Sequence, residues 1–428
     1  MKNISFCINT ARNELNHIKL LFKSLQQNLH SLEHEVLVFI DSDNQNTFEW
    51  LLTQKETFPN LKILRNTQPV CYGYARNINE MFEQASNEIV SYLQSDMVVC
   101  KDYDLILADK VKPNMVLCST RIEPPLHGNS GEKHTYDFGL DPVTFDLEAF
   151  TKYADSCKVD KTTSYFFAPF TLYKDVWNSI GGHDTMFRRS REDTDVLTRL
   201  VLNGVEILQT WEALVYHFTC TSSRGLNWFD PNNTEAQEKV KLQEQADAVE
   251  MKRYVRKWGK FEHTTQASEM IKYNVSAVIK GPLSLEHLLA FDYYFNQLHI
   301  EDEAVAQKYK DLFTEQHNYA NKLLKFTDDN WKEYGYMYNQ KELHIHSTKE
   351  EDFTFDDVVV EFAIQDVNQQ TFQEVIQMLQ PIIHNISEEG SYEVGGVKIH
   401  VNTIKNRVLE LIQANNPKVK QEHMYETY

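Results

Sequence analysis

Residues 181–204 read GGHDTMFRRSREDTDVLTRLVLNG, and the rest of the chain is best understood outward from this stretch. Its two opening glycines predict a turn, and three acids follow, at Glu192, Asp193 and Asp195. A helix is predicted next, because apolar residues recur at i, i+3 and i+4: Leu197, Leu200 and Val201. Gly204 stands where a helix C-terminus favours a left-handed residue. The acids fall in the first turn of this helix, where the helix dipole stabilises negative charge, so the stretch alone requires no function.

The chain before this stretch contains four short apolar runs that predict buried strands. They are Ile4–Ile8, Val36–Ile40, Leu61–Leu64 and Ile89–Leu93. None of them alternates apolar with polar residues, and a helical pattern follows each of the first three. This arrangement is typical of an α/β fold with a mostly parallel sheet and helices on both faces.

Polar residues follow three of these strands: residues 10–13, 41–44 and 94–96. Any one of these segments would be an ordinary turn, because Asp and Asn are common turn residues. In open α/β sheets, however, ligands bind at the carboxyl ends of the strands. Three polar strand ends in one sheet therefore predict a ligand crevice.

The remaining chain divides into less regular parts. Residues 121–165 are expected to form a long functional loop with some helix near residues 144–153. Two strands are predicted at residues 205–208 and 213–216, the second ending at His217. We expect three units: an α/β domain over residues 1–233, a mainly helical region over 234–345 that packs against it, and a small α+β module over 346–428. Within this module, helices are predicted at about residues 369–384 and 403–414. The polar last 14 residues are expected to fray.

Composition excludes several classes of protein. The 428 residues are 42% hydrophobic and 12% aromatic, which is enough for a large core. A net charge of −19 argues against a mainly electrostatic grip on nucleic acid or anionic lipid. The six cysteines form no C-x-x-C pair, which favours a reducing compartment. No apolar stretch approaches the ~18 residues of a membrane span, so a cytoplasmic protein is expected.

Several spaced features together resemble glycosyltransferases of the GT-A fold, family-two type, over residues 1 to about 225. In chain order they are Asn9-Thr10-Ala11-Arg12-Asn13-Glu14, Asp41-Ser42-Asp43, Gly73-Tyr74-Ala75-Arg76-Asn77, Gln94-Ser95-Asp96, Gly181-Gly182-His183-Asp184, Glu192-Asp193-x-Asp195 with Arg199, and His217. The order and spacing of these features carry the resemblance, because each motif alone is loose.

The resemblance implies a divalent metal, Mn²⁺ or Mg²⁺, on the diphosphate of a nucleotide sugar. The family places an Asp-x-Asp motif at the fourth strand end, where this chain has Gln94 in the first position and Asp96 in the second. Asp96 is therefore the expected ligand, with His217 as a second one, although a turn residue and a structural histidine are the plain alternatives. Gln94 and Ser95 would touch ribose or phosphate.

The same resemblance implies a nucleotide pocket. Asp41 would accept a hydrogen bond from the nucleobase, with Arg76 beside it. Residues of the first two strand ends would complete the pocket: Thr10, Arg12, Asn13 and Asp43. Arg224, with Ser222 and Ser223 next to it, would clamp the diphosphate, and a solvated loop is the alternative for these three.

The Glu192-Asp193 pair would carry the chemistry. In the family the Asp of this pair is the base, here Asp193, which takes the proton of the acceptor hydroxyl as the new bond forms. Glu192 would contact the acceptor or the donor sugar, and Asp195 would be structural, paired with Arg199 at i+4. Arg188, Arg189 and Arg191 could meet phosphates or form a solvated loop.

The expected activity is inverting, metal-dependent transfer of a sugar from a nucleoside diphosphate sugar, a UDP-sugar in the first instance, to an acceptor hydroxyl. The rivals are a non-catalytic nucleotide-binding scaffold and a metal-dependent nucleotidyltransferase. The sequence leaves the acceptor open between a glycan, a protein, a small molecule and a modified DNA base. It also leaves the C-terminal module open between a homo-oligomer contact, acceptor binding and partner docking.

Overall fold

The computed structural model describes most of the chain, and the account below is confined to that part. The described residues are 2–67, 71–128, 130–187, 190–219, 229–260, 270–312, 344–347, 357–363, 365, 379, 381–414, 416 and 425–428.

The first sheet contains eleven strands within these residues. Ten of them come from the first half of the chain: β1 (Ile4–Thr10), β2 (Glu35–Ile40), β3 (Leu61–Asn66), β4 (Ile89–Gln94), β5 (Met97–Val99), β6 (Met115–Glu123), β7 (Lys133–Thr135), β8 (Thr162–Thr163), β9 (Phe170–Tyr173) and β10 (Glu206–His217). The helices between and after them are α1 (Leu15–Asn28), α2 (Thr47–Thr53), α3 (Tyr74–Gln84), α4 (Tyr103–Lys110), α5 (Leu147–Cys157), α6 (Lys174–Ser179) and α7 (Glu192–Leu202).

Strands β3, β2, β1 and β4 lie side by side and run parallel. The sheet continues through β9, β6, β10 and β5, with a further parallel pair between β6 and β10. All seven residues of β1 are buried, as expected for a strand covered on both faces. The predicted α/β fold with a mostly parallel sheet is confirmed.

Helices pack on both faces of this sheet. Side chains of β2 alternate between two apolar clusters, one with α1, α4 and α5 and the other with α3, α6 and α7. This alternation follows from the pleat of a strand, in which successive side chains point to opposite faces. The predicted strands at 205–208 and 213–216 are joined in the structure as β10, with a register shift between Thr210 and Leu214.

A second sheet of six strands follows. Its strands are β11 (Val275–Lys280), β12 (Gln297–Ile300), β13 (His344–Ser347), β14 (Val358–Ala363), β15 (Gly390–Val394) and β16 (Val397–Val401), in the order β13-β12-β11-β14-β16-β15. The helices of this part are α8 (Thr234–Trp258) and α9 (Leu285–Phe291), with 3₁₀ turns at Asp292–Tyr294 and Val408–Leu411.

This second sheet differs from the predicted division of the chain. Residues 234–345 were expected to be mainly helical, but they contribute β11, β12 and half of β13, and the boundary at 345/346 runs through β13. The parallel pairing of β11 with both β12 and β14 joins the two predicted units in one core. The apolar run Val275–Ile279 is the local cause, because it is buried as a strand within a region rich in Lys and Glu.

The C-terminus also differs from its prediction. The described residues Tyr425–Thr427 form a strand, β17, that pairs antiparallel with β3 instead of fraying. The ring of Tyr425 packs on Phe39 and that of Tyr428 on Phe48, with centroids 5.7 and 4.6 Å apart. The predicted helix near 403–414 is only a short 3₁₀ turn at Val408–Leu411. The predicted helix at residues 369–384 lies mostly outside the described residues.

The two sheets are joined through α8, as expected for a region that packs on the first domain. Phe187 from the first part packs with Tyr254 and Trp258 of α8 in a small apolar cluster. None of the helices in the described ranges combines the length and the apolarity that crossing a bilayer demands.

Candidate active site

A cleft with a volume of about 440 Å³ opens at the carboxyl ends of the strands in the first sheet. Five residues predicted for the site line it together: Gln94, Asp96, Glu192, Asp193 and His217. Strand ends provide Gln94 and His217, the turn between β4 and β5 provides Asp96, and the first turn of α7 provides the acidic pair. The fold therefore gathers in one cleft residues that are up to 123 positions apart in the sequence.

Strand pairing places His217 beside Asp96. Strands β10 and β5 run antiparallel, with His217 opposite Met97, the residue after Asp96. The backbone N–H of Phe218 donates to the carbonyl of Asp96 at 3.1 Å, which fixes the two chain segments together. As a result the Nε2 atom of His217 lies 3.9 Å from Oδ1 of Asp96.

The other ring nitrogen of His217 faces Glu123 at the end of β6. Nδ1 lies 2.8 Å from Oε1 of Glu123, whose other oxygen accepts from Lys133 Nζ at 2.7 Å. Burial alone would raise the pKa of the Glu123 carboxyl, but the His217 hydrogen bond and the charge of Arg121 outweigh it, so the pKa lies well below its usual value. Glu123 is thus an ionised carboxylate that accepts a hydrogen bond from Nδ1–H of His217.

Asp193 lies in the first turn of α7 and keeps one oxygen open. Its Oδ1 accepts from the backbone N–H and the hydroxyl of Thr194, at 2.6 and 3.1 Å. Its Oδ2 takes no hydrogen bond from the residues that the structure describes. A carboxylate held by one oxygen and open at the other is suited to accept a proton from a bound molecule.

Asp195 differs from its two acidic neighbours because it is fully buried and multiply bonded. Arg199 donates to it at 2.7 Å, as predicted for the i+4 pair. Two residues of α8 also reach it, Lys257 at 2.7 Å and Trp258 through Nε1 at 2.9 Å. The structural role expected for Asp195 is in agreement with these contacts.

Asp41, which is predicted to accept a hydrogen bond from the nucleobase, is buried directly after β2. Its carboxylate accepts from the backbone N–H groups of Tyr72 and Gly73, at 2.7 and 3.0 Å, and from the side chain of Asn66 at 3.0 Å. Burial raises the pKa of Asp41, although these hydrogen bonds act against the rise. Arg76 lies with its guanidinium 4.2 Å from the ring centre of Tyr72, so it occupies the same edge as Asp41.

Hydrogen bonds connect the other predicted nucleotide residues, at the end of β1 and in the loop after it, to the loop after β2. The N–H of Asp41 donates to the carbonyl of Thr10, and the N–H of Arg12 donates to the Ser42 hydroxyl, at 2.9 and 3.2 Å. Asn13 pairs with Asn44 through backbone and side chain, at 3.0 and 2.9 Å.

The carboxylate of Asp43 caps the start of α2. Its carboxylate accepts from the N–H groups of Gln45, Thr47 and Phe48, at 2.9–3.0 Å, around the start of α2. Burial raises the pKa of Asp43, but these hydrogen bonds outweigh the effect of burial, so the pKa lies below its usual value. Arg188, Arg189 and the segment with Ser222, Ser223 and Arg224 lie outside the described residues.

Two further carboxylates contact residues predicted for the site but were not themselves predicted to act in it. Glu14 accepts from the Ser95 hydroxyl at 2.6 Å and from the Ala11 N–H at 2.9 Å, and burial raises its pKa to about 7. Glu14 is the last residue of the motif at residues 9–14, so this motif could have identified it from the sequence. Glu123 had no comparable signal, because its place beside His217 depends on the pairing of β6 with β10.

Comparison with known families gives a match to part of this chain. Residues 7–178, about two-fifths of the chain, match the model of Glycosyl transferase family 2. The matched segment contains Gln94 and Asp96 and ends before Asp193. Over these residues the match confirms the family resemblance.

Several solved structures are similar in fold. GalNAc-T7, crystallised with UDP, GalNAc and Mn²⁺, is 14% identical, with 50% of this chain and 43% of that chain covered and a TM-score of 0.40. S. aureus TarS is 16% identical, with coverages of 60% and 44% and a TM-score of 0.36. TarS 1–349 in complex with UDP is 17% identical, with coverages of 60% and 72% and a TM-score of 0.38. This chain thus spans less than half of the length of the first two structures. A comparison with curated proteins gives no match.

Proposed function

We propose that this chain is an inverting, metal-dependent glycosyltransferase that moves a sugar from a nucleoside diphosphate sugar, in the first instance a UDP-sugar, to an acceptor hydroxyl. One observation carries the proposal. The cleft of a family-two domain brings a His-Asp pair, His217 with Asp96, onto the same surface as the open carboxylate of Asp193.

The His-Asp pair fits a divalent cation. Glu123 accepts from Nδ1 of His217, so the lone pair of the ring is on Nε2, which faces Asp96 at 3.9 Å. A carboxylate behind a metal-binding histidine is the usual second partner of such a ligand. Within the described residues no third His, Cys, Asp or Glu completes the set, which suits Mg²⁺ or Mn²⁺ held also by substrate phosphates and water.

When bound, the cation would neutralise the charge that develops on the leaving diphosphate. Asp96 and His217 would hold it, and Gln94 and Ser95, from the same strand end, would contact the ribose or phosphate. Asp41 and Arg76 would orient the nucleotide at the neighbouring strand ends, with the loops of Thr10, Arg12 and Asn13 around them. Asp43 has the weakest claim in this group, because its carboxylate already caps α2.

Asp193 would take the proton of the acceptor. Its Oδ2 has no described protein partner, whereas Oδ1 is held by Thr194, so the carboxylate is oriented and still able to accept. Attack by the acceptor oxygen from the side opposite the diphosphate would displace it in one step and invert the anomeric centre. Glu192, beside it in the cleft, would contact a sugar hydroxyl.

The test is a screen of UDP-sugars with Mn²⁺ on the wild type and on Asp193→Asn. UDP release is followed by luminescence and sugar transfer by mass spectrometry. The variant should still bind UDP but lose about 10²–10⁴-fold in kcat, the usual contribution of a positioned base. Asp160→Asn is the matched control, because the Asp160 side chain is 90% exposed and does not line the cleft.

The outcomes separate the rival functions. Transfer by Asp193→Asn at the wild-type rate would remove Asp193 as the base. Release of a sugar 1-phosphate in place of UDP would indicate a nucleotidyltransferase, because transfer of the uridylyl group leaves the second phosphate on the sugar. A folded protein that binds UDP but turns over no UDP-sugar would be a scaffold.

A further inference from the structure

A second cavity adjoins the cleft and shares one wall with it. Its volume is about 580 Å³, and four residues line both spaces: Tyr165, Phe166, Phe167 and Asp193. We propose that this second cavity binds the acceptor, and that the acceptor is an uncharged hydroxyl compound with an apolar face, such as a neutral glycoside. The inference rests on the proposed function, because it takes the cleft as the donor site and Asp193 as the base.

The position of Asp193 gives the two spaces their roles. The His-Asp pair, which would hold the cation on the donor diphosphate, lines the cleft and does not line the second cavity. Asp193 lines both, so a hydroxyl entering from the second cavity would meet its carboxylate at the junction. In the reaction the acceptor oxygen bonds to the anomeric carbon, the diphosphate leaves with its bonding electron pair, and the hydroxyl proton passes to Asp193.

The second cavity runs along one face of α7. Its helix residues, Asp193, Thr194, Leu197 and Val201, recur at the spacing of a single face. Asp193 and Val201 are eight residues apart, so this face is about 12 Å long. An acceptor with its hydroxyl at Asp193 would therefore extend past Leu197 to Val201, which leaves room for more than a single sugar ring.

Three consecutive aromatic residues, 165–167, form another part of the lining. The rings of Tyr165 and Phe167 lie nearly parallel, with 14° between their planes and 6.5 Å between centroids. On the donor side the guanidinium of Arg121 lies 3.6 Å from the ring centre of Phe167 and donates to the carbonyl of Ala168, which fixes this platform. Flat aromatic surfaces with a few polar groups are typical of sites for ligands that have both apolar faces and hydroxyls.

The charges of the residues that line the second cavity indicate which class of acceptor fits it. Among the described residues that line the second cavity, the ionisable acids are Asp193 and Glu206, and none is Lys, Arg or His. A phosphorylated or otherwise anionic acceptor would meet two carboxylates there without a cation to pair with. The lining therefore favours a neutral acceptor and disfavours nucleic acid and phosphate-containing polymers.

The test measures acceptor binding directly, by ligand-observed NMR on protein saturated with UDP and Mn²⁺. The probe is p-nitrophenyl β-glucoside, and the comparison is glucose with glucose 6-phosphate. Val201→Trp fills the second cavity at a residue that does not line the cleft, and should raise the Kd for the probe by about tenfold or more. Val143→Trp is the matched control, because Val143 is 69% exposed and lines neither space.

A second substitution tests the charge argument by itself. Glu206 is exposed on the rim of the cavity, and Glu206→Lys should tighten the binding of glucose 6-phosphate several-fold without a like effect on glucose. Glu148→Lys, at an exposed position of α5, is the control. Unchanged probe binding in Val201→Trp, or tighter binding of glucose 6-phosphate than of glucose by the wild type, would overturn the inference. Failure of the wild type to bind UDP would instead remove the proposed function, and this inference with it.

Discussion

Glu123 and His217 end two paired strands, β6 and β10, and their side chains meet at 2.8 Å between Oε1 and Nδ1. Lys133 and Arg121 surround the same carboxylate, at 2.7 and 3.3 Å, and keep it ionised in a buried place. A fixed acceptor at Nδ1 determines which nitrogen of the ring faces the cleft. Glu123 is therefore a positioning residue for His217, and its effect should be visible in metal binding.

The first prediction is that Glu123→Gln weakens Mn²⁺ binding by about 10–100-fold in the presence of UDP, the usual cost of losing such a partner. An amide can still accept a hydrogen bond, but it loses the charge that makes the ring a stronger ligand. The measurement is a Mn²⁺ titration followed by electron paramagnetic resonance.

Two controls accompany this titration. Glu148→Gln, at an exposed position of α5, should leave the Mn²⁺ affinity at its wild-type value. His217→Ala should weaken binding at least as much as Glu123→Gln, because Glu123 acts only through the ring. A Glu123→Gln protein with wild-type Mn²⁺ affinity would show that the contact does not serve a metal.

The second prediction concerns Lys257, which bridges two carboxylates. Its Nζ lies 2.6 Å from Asp184 and 2.7 Å from the fully buried Asp195. Lys257→Met keeps the length of the side chain but leaves both acids without this cation, and should lower the free energy of unfolding by about 3 kcal/mol. Urea unfolding followed by fluorescence measures the change.

Lys280→Met is the comparison for that experiment, because Lys280 pairs with Glu361 at a side chain that is 45% exposed. Loss of this exposed pair should cost less than about 1 kcal/mol. Equal effects of the two substitutions would mean that the bridge between α8 and the acidic turn does not stabilise the fold.

The third prediction uses two glycines with the same backbone conformation. Gly182 has φ +73° and Gly204 has φ +71°, so an alanine at either is strained by about 1–2 kcal/mol. At Gly204 a Cβ meets open space, whereas at Gly182 it meets the side chains of Asn79 and Trp177. Gly182→Ala should therefore destabilise the protein by about 1–3 kcal/mol more than Gly204→Ala, as in overpacked cores.

Asn79 is unable to move away cheaply from a new methyl group at Gly182. Its amide donates to the carbonyl of His183, and its Oδ1 accepts from the His183 N–H and from Trp177, at 2.9, 2.8 and 3.2 Å. A shift of Asn79 would break the contacts that hold the turn before α7. Thermal unfolding of the two variants side by side checks the difference, and equal melting temperatures would contradict it.

Local sequence was sufficient for the parts of the fold that depend on local burial. The apolar runs at 4–8, 36–40, 61–64 and 89–93 predicted β1 to β4, because a strand buried on both faces must be apolar throughout. It was insufficient where a strand is specified by its partner. The polar segment Tyr425–Thr427 is a strand because it pairs with β3, some 360 residues earlier in the chain.

In the candidate site, too, some residues could be predicted from the sequence and others could not. Asp96, Asp193 and His217 stand in motifs whose order could be recognised, and the structure places them in one cleft. Glu123 and Lys257 could not be found in this manner, because their partners are 94 and 62 residues away and are reached only through tertiary contacts. The roles of the three motif residues stay predictions until the Asp193→Asn and Mn²⁺ experiments are performed.

The last prediction follows from the buried ring of His183, which is 2% exposed beside Trp177. Burial first, and the nearby Arg199 charge second, lower its pKa from 6.5 to about 3. Between these values the unfolded chain binds a proton that the native ring does not, so stability falls as the pH falls. From pH 7.5 to pH 5.0 the contribution of this group should cost about 2 kcal/mol.

His183→Phe isolates that contribution, because a phenyl ring keeps an aromatic contact with Trp177 and cannot titrate. The difference in unfolding free energy between the wild type and the variant, measured in urea, should shift by about 2 kcal/mol in favour of the variant on going from pH 7.5 to pH 5.0. His30→Phe, at an exposed histidine, should show no such shift. A difference between wild type and His183→Phe that is independent of pH would mean that the ring is protonated, or reaches solvent, in the native state.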